Sequence, residues 1–440
     1  MIDWLGLQDM QQVLILHYHE IWLKGGNKNY FLSRLIAAVK QSLADLPYES
    51  LQFVADRLVL HPSDEAALPL MLDRLRRVFG LAYIARARVV KNDLASMGPV
   101  ACEMMEERNP RNFAVRAKIA DSEFPKNSME VERAVGRMVL DHLRERQSDV
   151  QVKLNNPEVT CWIEIIPDQA LIYTVREEGA GGLPPVTAGR LVAMLSGGFD
   201  SAVAAYKLMR RGAHVTFAHF ASAGSTSLGS SQPVAEQIAR TLTPYQFTSR
   251  LYVLPFEPVQ RQIVVSAPER FRVLLYRRMM VRIAREISRV ERALGLITGD
   301  SVSQVASQTL HNLAAMDHGL DIPIYRPLAG DDKAEILRVA RQIGTYSLSC
   351  EPFEDCCQRF MPRAPAIFSK PLELAQAESL LDVEALVTLG MEGAKVHDYK
   401  FEAGEVIGKE GLPHRFEKLL VLRRRSSANI AARPPVAAGI

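Results

Sequence analysis

The amino-acid sequence predicts an α/β protein in which a doubly wound parallel sheet follows two small α+β domains. Apolar strand segments alternate with amphipathic helix segments from about residue 190 onward, which is typical of a mainly parallel sheet. Shorter strand and helix segments form two groups before it, and the Gly/Pro-rich stretch Glu177–Arg190 separates them from the alternating part. A chain of 440 residues has room for about three domains.

The first group has the order strand, helix, strand, strand, helix. Its opening strand is predicted at Val13–Leu23, and a Gly/Asn-containing turn and an apolar-periodic helix ending near Leu46 follow. The pattern closes with the helical segment LPLMLDRLRRVFG. It predicts a small α+β domain over residues 1–75.

The second group contains the strand Phe113–Ala120, a long helix MEVERAVGRMVLDHLRER and three further strand segments, VQVKLNN, VTCWIEIIP and ALIYTVREEG. We interpret residues 76–180 as a second α+β domain. The alternating part then predicts the doubly wound domain over residues 181–380, because its first strand, Leu191–Leu195, is followed by helix and strand segments in turn. Residues 381–440 form a C-terminal extension whose last segment, RRRSSANIAARPPVAAGI, contains no acidic residue and predicts a mobile basic tail.

Composition excludes several classes of protein. Hydrophobic residues make up 48% and charged residues 23% of the chain, which fits a globular protein and excludes a disordered or fibrous one. The formal net charge of +3 is too small to indicate nucleic-acid binding by itself. No stretch approaches about 18 uninterrupted apolar residues, and the N-terminus lacks the pattern of a secretory signal. We therefore expect a cytoplasmic protein without membrane contact.

The segment Ser196–Ser201, SGGFDS, carries the strongest chemical signal. It joins the first strand of the alternating part to a helix, and its adjacent glycines allow close backbone approach to a ligand. The N-terminus of the following helix offers free N–H groups and a positive dipole to a polyphosphate. The P-loop pattern G-x-x-x-x-G-K-[ST] is missing, so transfer of a γ-phosphate is disfavoured.

The cysteines are distributed unevenly. An odd number of five, without an export signal, predicts reduced thiols rather than a disulfide framework. Cys102 and Cys161 lie in apolar segments and are expected to be buried, whereas Cys350, Cys356 and Cys357 fall within SCEPFEDCC. A zinc or iron–sulfur site needs about four ligands, and no C-x-x-C pair occurs in the chain, so metal binding is the less favoured interpretation.

The helix predicted at Phe271–Ala293 carries a stripe of arginines at helical spacing. Such a stripe is usually a solvated face, and we favour this interpretation slightly over contacts with RNA phosphates. The residues are Arg278, Arg282, Arg285, Arg289 and Arg292.

The motifs and their order resemble those of the tRNA 4-thiouridine synthetases. SGGFDS resembles the PP-loop of adenylating ATP pyrophosphatases, and HVTFAHF, YRRMM, TGDSVSQVASQTLHNL, RPLAGDDKAEI and EPFEDCC follow in the family's order. HYHEIWLKGGNKNYF resembles the family's N-terminal ferredoxin-like domain, and FAVRAKIADSEFPKNSMEVERAVG resembles its THUMP RNA-binding domain. The resemblance therefore implies a ferredoxin-like domain, a THUMP domain and a PP-loop ATP pyrophosphatase domain in the three predicted regions.

The resemblance also implies functional residues. Asp200 would serve the phosphates and Mg²⁺ or the adenylation step, and Lys333 would neutralise charge that develops on the phosphates. Cys356 would carry a persulfide, with Cys357 or Cys350 as the resolving thiol. The ATP-binding residues would be Met194, Leu195, Ser196, Gly197, Gly198, Asp200, Ser201, His219, Phe220, Arg277, Gly299 and Gln308. The RNA-binding residues would be Arg116, Lys118 and Lys126.

The implied activity is the ATP-dependent conversion of a tRNA uridine, expected at position 8, to 4-thiouridine. Some relatives append a rhodanese-like domain with its own cysteine, but no cysteine follows Cys357 here. The expected partners are therefore tRNA, a cysteine desulfurase that loads Cys356 directly and a cellular reductant, and a homodimer is a candidate assembly. Two alternatives remain open: another PP-loop enzyme that modifies tRNA or forms an amide, and a non-catalytic tRNA-binding protein of the THUMP type.

Overall fold

The computed structural model describes residues 12–146, 149–221, 231–352 and 360–411, and these residues form two compact units that meet in sequence between Leu183 and Pro184. The predicted α/β fold class is confirmed, since the first unit is α+β and the second contains a parallel sheet with helices.

The described part of the first unit contains four helices and nine strands. Its helices are α1 (Lys28–Ser42), α2 (Leu68–Leu75), α3 (Leu94–Arg108) and α4 (Ser128–Arg144). Its strands are β1 (Gln12–His17), β2 (Tyr48–Val54), β3 (Arg57–Pro62), β4 (Tyr83–Lys91), β5 (Asn112–Ile119), β6 (Gln151–Val152), β7 (Val159–Ile166), β8 (Gln169–Tyr173) and β9 (Glu177–Glu178). The strand predicted at Val13–Leu23 ends earlier, at His17, because a 3₁₀ segment at Glu20–Asn27 with a kink at Gly25 begins there.

All nine strands belong to one sheet, in the order β2-β3-β1-β4-β8-β7-β5-β6, with β9 paired to β4. Strand β4 joins the two predicted α+β domains, because Tyr83–Arg88 pairs with β1 and Arg88–Lys91 pairs with β8. The order β2-β3-β1-β4 with two intervening helices is a complete split βαβ arrangement. It needs β4, which lies beyond the boundary predicted at residue 75.

A buried ionic cluster lies in this sheet. Arg57 is fully buried and ion-paired with Glu164, and His17 Nε2 lies 3.0 Å from a Glu164 carboxylate oxygen. The hydroxyl of Tyr173 donates a 2.7 Å hydrogen bond to the same carboxylate. Burial opposes ionisation of Glu164, but the hydrogen bond from His17 and the charges of His17 and Arg57 outweigh it and lower the pKa of Glu164 to about 2. The carboxylate therefore remains ionised inside the sheet.

The second unit contains nine helices and seven strands among its described residues. Its helices are α5 (Phe199–Met209), α6 (Gln232–Leu242), α7 (Glu257–Ser266), α8 (Arg272–Glu291), α9 (Leu310–Asp317), α10 (Lys333–Gln342), α11 (Tyr346–Ser349), α12 (Pro371–Glu378) and α13 (Val383–Met391). Its strands are β10 (Arg190–Met194), β11 (His214–Ala221), β12 (Thr248–Pro255), β13 (Leu296–Ile297), β14 (Ile324–Tyr325), β15 (Lys395–Glu402) and β16 (Glu405–Glu410).

The sheet of the second unit has the order β14-β13-β10-β11-β12-β15-β16. The first five strands in this order are parallel, and the chain runs from β10 toward β12 before it returns to the other side of β10 with β13. The strand order therefore reverses between β10 and β13, and ligands of such sheets bind at this switch point. The antiparallel hairpin β15–β16 extends the sheet from the predicted C-terminal extension, and the predicted basic tail lies outside the described residues.

The arginine stripe on α8 is mainly a set of ion pairs. Arg278 is buried, shares Glu378 of α12 with Arg282, and donates hydrogen bonds of 2.8 to 3.1 Å to three backbone carbonyls at the end of α9. Arg285 pairs with Asp321. The expectation of a solvated face is therefore wrong for Arg278. Its guanidinium group is buried and pairs with a buried carboxylate on a neighbouring helix.

Candidate active site

The candidate site lies where the parallel strands β10, β11 and β13 end. Met194 closes β10, His219 and Phe220 lie near the end of β11, and the segment Thr298–Asp300 follows β13 directly. Carboxyl ends of parallel strands meet at the same edge of a sheet, so three segments distant in sequence converge there.

The loop between β10 and α5 is held by its two serines. The Ser201 hydroxyl accepts a 3.0 Å hydrogen bond from the Ser196 backbone N–H and lies 3.1 Å from the Ser196 hydroxyl. It also donates to the Gly198 carbonyl at 3.0 Å, and the Gly198 N–H donates to the Ser196 hydroxyl at 3.2 Å. These bonds fold the loop over the first turn of α5 and fix its backbone before a ligand arrives.

The N-terminus of α5 lies unusually close to the backbone of a neighbouring loop. Its N-cap is Gly198, and within the described part of the chain no side chain caps this helix end. Gly299 packs against it so closely that a Cβ at this position would lie 2.7 Å from the Ser201 nitrogen and 2.8 Å from the Asp200 carbonyl carbon. Only glycine permits this distance between the two backbones, and the first-turn N–H groups of α5 thus remain available to an anion.

A cavity of about 260 Å³ opens beside this loop. Eleven of the twelve residues predicted to bind ATP line it, and the twelfth, Gly198, is the N-cap of α5 next to it. The lining residues are Met194, Leu195, Ser196, Gly197, Asp200, Ser201, His219, Phe220, Arg277, Gly299 and Gln308, together with Ser231, Val273, Met280, Thr298, Asp300, Val305 and Ser307.

Asp300 is the centre of the polar wall of this cavity. It is buried, ion-paired with Arg277, and accepts hydrogen bonds of 3.2 Å from Arg326, 2.8 Å from Thr298 and 3.2 Å from Gln308. Burial alone would raise the pKa of Asp300, but the guanidinium groups of Arg277 and Arg326 and the Thr298 hydroxyl hold this pKa below its ordinary value. Asp300 thus fixes Arg277 and Gln308, which were predicted from the sequence.

The opposite wall contains a buried histidine. His219 Nδ1 lies 2.8 Å from the Leu195 carbonyl, which only accepts hydrogen bonds, so the proton is on Nδ1. Its Nε2 lies 3.1 Å from the Ser231 hydroxyl. The ring therefore fixes the end of β10 against β11, beside the aromatic ring of Phe220.

Asp200 and Lys333 form the exposed end of the site. Lys333 is the first residue of α10, and its Nζ donates to the two Asp200 carboxylate oxygens at 3.0 and 3.1 Å. The same ammonium group lies 4.2 Å from the centre of the Phe199 ring, and Gln304 donates to Asp200 at 3.3 Å. Lys333 does not line the cavity itself, but its ammonium group contacts Asp200, which does.

Among the described residues, no group of three or more His, Cys, Asp or Glu side chains could hold a metal ion. Asp200, in the first turn of α5, is the carboxylate of this loop, and a single carboxylate suits an ion that is bound mainly by phosphate oxygens, which is how Mg²⁺ usually binds with nucleotides.

The predicted sulfur chemistry falls largely outside the described residues, because Cys356 and Cys357 lie between residues 353 and 359. Cys350 is free and exposed after α11. The other two cysteines are buried as expected, and burial raises the pKa of Cys102 to about 11 and that of Cys161 to about 12. Neither buried thiol can supply a thiolate at neutral pH.

The predicted RNA-binding residues lie in the first unit. Arg116 and Lys118 project from the same face of β5, opposite Trp162 and Glu164 of the neighbouring strand β7. Lys118 and Lys126 are exposed, whereas Arg116 is half-buried and donates a 2.7 Å hydrogen bond to the Leu154 carbonyl. Arg116 is therefore held by the protein, and the two lysines are the more accessible cations.

Several site residues lie in the segment TGDSVSQVASQTLHNL but were given no role from the sequence. Asp300 and Thr298 are the clearest cases, and their signal was available, because they follow a buried strand segment in the same way as SGGFDS does. Ser307 lies in the three-residue 3₁₀ helix Ala306–Gln308 and Gln304 in the bend before it, and both segments are too short for a periodicity that indicates which side chains point inward. No helix in the described ranges has the length and apolar character needed to span a membrane.

Three family profiles match the chain in order. The ThiI ferredoxin-like domain matches residues 13–85, the THUMP domain residues 96–175 and the family described as thiamine biosynthesis protein (ThiI) residues 186–383.

Relatives match over nearly their whole length. A probable tRNA sulfurtransferase of Thermus thermophilus is 40% identical over 88% of this chain and 94% of its own. One of Caldanaerobacter subterraneus is 36% identical over 86% of this chain and 97% of its own. Among solved structures, a 4-thiouridine synthetase in complex with RNA and bound ATP superimposes with a TM-score of 0.75 at 30% identity, covering 90% of this chain and all of that one.

Proposed function

Because this chain belongs to the tRNA sulfurtransferase family, we propose that it uses ATP to adenylate a tRNA uridine and then replaces the activated oxygen with persulfide sulfur. The observation that carries the proposal is the cavity at the strand switch point, which is lined by eleven of the twelve residues predicted to bind ATP. The related 4-thiouridine synthetase, which was solved with RNA and ATP, supports the same substrates.

The cavity fits a nucleotide with its triphosphate toward α5. Met194, Leu195, His219 and Phe220 form the less polar part, which suits a purine ring. The loop Ser196–Ser201 and the first turn of α5 supply N–H donors for phosphate oxygens. Lys333, now paired with Asp200, would balance the negative charge that grows on departing pyrophosphate. Mg²⁺, held by the phosphates with Asp200, would spread the same charge.

The adenylation step makes the uracil carbonyl replaceable. The O4 oxygen of the uridine attacks the α-phosphorus, the bond to the β-phosphate breaks, and N3 loses its proton. Pyrophosphate leaves, and C4 now carries AMP, which departs far more readily than an oxide would. Arg277 is placed by Asp300 and Ser307 in the wall of the cavity, where it can stabilise this phosphate charge.

The thiolation step uses the cysteine segment. The terminal sulfur of a persulfide on Cys356 attacks C4 and displaces AMP. A second thiolate, from Cys357 or Cys350, then attacks Cys356 and releases 4-thiouridine. The resulting disulfide needs two electrons from a cellular reductant before a cysteine desulfurase can load Cys356 again. These roles rest on the sequence positions and on the exposure of Cys350.

The first unit would bind tRNA through its exposed lysines, Lys118 and Lys126, as the THUMP match supports. We further propose that the target is position 8, that the protein works in the cytoplasm, and that it assembles as a homodimer. The two alternatives, another PP-loop enzyme and a non-catalytic tRNA-binding protein, are not favoured, because the relatives are named sulfurtransferases and the nucleotide cavity is complete.

The decisive test is nucleoside analysis of tRNA from a strain that lacks this protein. We expect 4-thiouridine to disappear, to return with the wild-type gene and to remain absent with Cys356→Ser. Cys356→Ala protein that restores the modified nucleoside would contradict the persulfide role. Persistence of 4-thiouridine in the strain without the protein would contradict the function itself.

A further inference from the structure

A second cavity adjoins the nucleotide cavity. Its volume is about 230 Å³, and it shares Val273, Val305 and Ser307 with the first cavity, so the two meet along this edge. The rest of its wall consists of Arg270, Leu274, Ala306, Met361, Pro365 and Ala366. The proposed function assigns no role to this space.

The walls of the second cavity are fixed by one buried side chain. The Asn312 amide nitrogen donates a 2.7 Å hydrogen bond to the Ala306 carbonyl and a 2.8 Å bond to the Ala366 carbonyl. Asn312 is fully buried, and the Ala366 N–H donates at 3.0 Å to the Arg270 carbonyl. Three segments of the wall are thus tied together, so the cavity is formed before a ligand arrives.

The lining of the cavity suits a flat, uncharged ring with a polar edge. Val273, Leu274, Pro365 and Ala366 provide apolar surface, while a hydroxyl group lies only at the edge shared with the first cavity. That hydroxyl belongs to Ser307, whose oxygen lies 3.3 Å from an Arg277 guanidinium nitrogen. A ring seated here would therefore meet polar groups on the side that faces ATP.

The second cavity has one charged residue among the described residues of its wall. Arg270 lines it and is exposed. Arg363 is also exposed, and its backbone N–H donates at 3.2 Å to Glu269, the residue next to Arg270. The guanidinium group of Arg270, beside an apolar cavity, can hold a phosphate next to a nucleotide whose base enters it.

We propose that this second cavity receives the uracil ring of the target nucleotide, turned out of the folded tRNA. The inference rests on the proposed function and adds a place for its second substrate. With the ring between the apolar walls, O4 points to the shared edge at Ser307 and hence to the α-phosphate of ATP. Met361, in the same wall, is five positions after Cys356 in the sequence, so the proposed persulfide residue is close along the chain to one wall of this cavity.

Filling the cavity tests the proposal. Ala306 lines only the second cavity, so Ala306→Phe would occupy the space of the ring. Val265→Phe is the control, because Val265 is exposed and lines neither cavity. We expect Ala306→Phe to bind ATP and tRNA as the wild type does and to form tRNA-dependent AMP roughly 10²-fold more slowly. Weaker ATP binding by this variant would show that the cavity belongs to the nucleotide site and would overturn the inference.

The two proposals can fail separately. Wild-type protein that forms no 4-thiouridine would overturn the proposed function and this inference with it. Wild-type activity together with an unaffected Ala306→Phe variant would overturn the inference alone.

A crosslinking experiment needs no variant. Wild-type protein is bound to tRNA that already contains 4-thiouridine, irradiated with near-ultraviolet light, and digested for mass spectrometry. We expect crosslinked peptides from residues 270–274, 305–307 or 361–366. Crosslinks confined to the first unit, residues 12–183, would contradict the placement of the base.

Discussion

At the scale of single residues, Gly299 controls the shape of the phosphate loop. A Cβ at this position would lie within 3 Å of three backbone atoms of Asp200 and Ser201, none of which can move without shifting α5. Overpacking of this kind costs about 1–3 kcal/mol. We predict that Gly299→Ala weakens ATP binding roughly ten- to a hundredfold, measured by calorimetric titration.

The control for this variant is Gly330→Ala. Gly330 lies in the same unit, and no atom lies within 4 Å of a Cβ built there. Its ATP affinity should equal that of the wild type. Equal ATP affinities for Gly299→Ala and the wild type would contradict a role of the loop Ser196–Ser201 in nucleotide binding.

Lys333 is the second residue for which the site geometry predicts a definite role, the balance of phosphate charge. Its ammonium group lies at the exposed end of the cavity on Asp200, where charge on the β- and γ-phosphates would grow. Loss of one preorganised donor typically lowers kcat by about 10²- to 10³-fold. We predict that Lys333→Met lowers the rate of pyrophosphate release by about 10²-fold with a smaller change in ATP affinity, whereas Lys395→Met on β15 changes neither. A variant that binds ATP poorly but reacts at the normal rate would assign Lys333 to binding alone.

The sequence predicted which segments converge where a short motif follows a strand. SGGFDS and the end of β11 converge because parallel strands share an edge, and this follows from the pattern alone. Asp300 was not assigned a role, because its importance comes from two arginines, Arg277 and Arg326, that lie 23 and 26 positions away. Such contacts depend on packing, which no local motif encodes.

At the scale of elements, α12 is held to α8 by one carboxylate. Glu378 is the partner of both Arg278 and Arg282. Removal of one member of a buried ion pair costs about 3–5 kcal/mol, because the remaining charge stays in the interior. We predict a loss of this size in the unfolding free energy for Glu378→Gln, measured by urea denaturation.

Glu373→Gln is the matched control on the same helix. Glu373 lies in the first turn of α12, and replacement of a first-turn carboxylate costs at most about 1 kcal/mol. Similar losses for both variants would mean that the buried pair contributes no more than a helix-end charge.

Element boundaries were predictable where one periodicity dominates and not elsewhere. The helices α4 and α8 appear where apolar spacing predicts them. The hairpin β15–β16 was missed, because its outer strand is exposed and lacks an apolar alternation. Strand β4 was assigned to one domain only, since its pairing with both β1 and β8 is a property of the folded sheet.

At the scale of the whole molecule, acid stability depends on buried carboxylates. The folded pKa of Glu164 is about 2, below the ordinary value near 4.5 that it has when unfolded. Because a lowered pKa stabilises the fold above the unfolded value, this contribution is complete above about pH 4.5 and is lost as the pH falls toward 2. The shift corresponds to about 3 kcal/mol. Glu164→Gln should flatten this part of the stability curve, measured by denaturation at several pH values, and an unchanged slope would contradict the assignment.

The order of the domains was predictable because each one carries its own motif. The continuous nine-stranded sheet of the first unit was not, because it forms through pairing between β4 and β8, whose residues are about 80 positions apart. The order of the motifs along the sequence was enough to predict the function. The geometry of the site could be described only from the folded structure.

The most direct test of the account is the fate of ATP when the purified protein meets unmodified tRNA, a cysteine desulfurase with cysteine, and a reductant. With radiolabel in the α- and γ-phosphates, we predict AMP and pyrophosphate in amounts equal to the 4-thiouridine formed, and no AMP without tRNA. Release of ADP and orthophosphate, with uridine unchanged, would contradict the central claim.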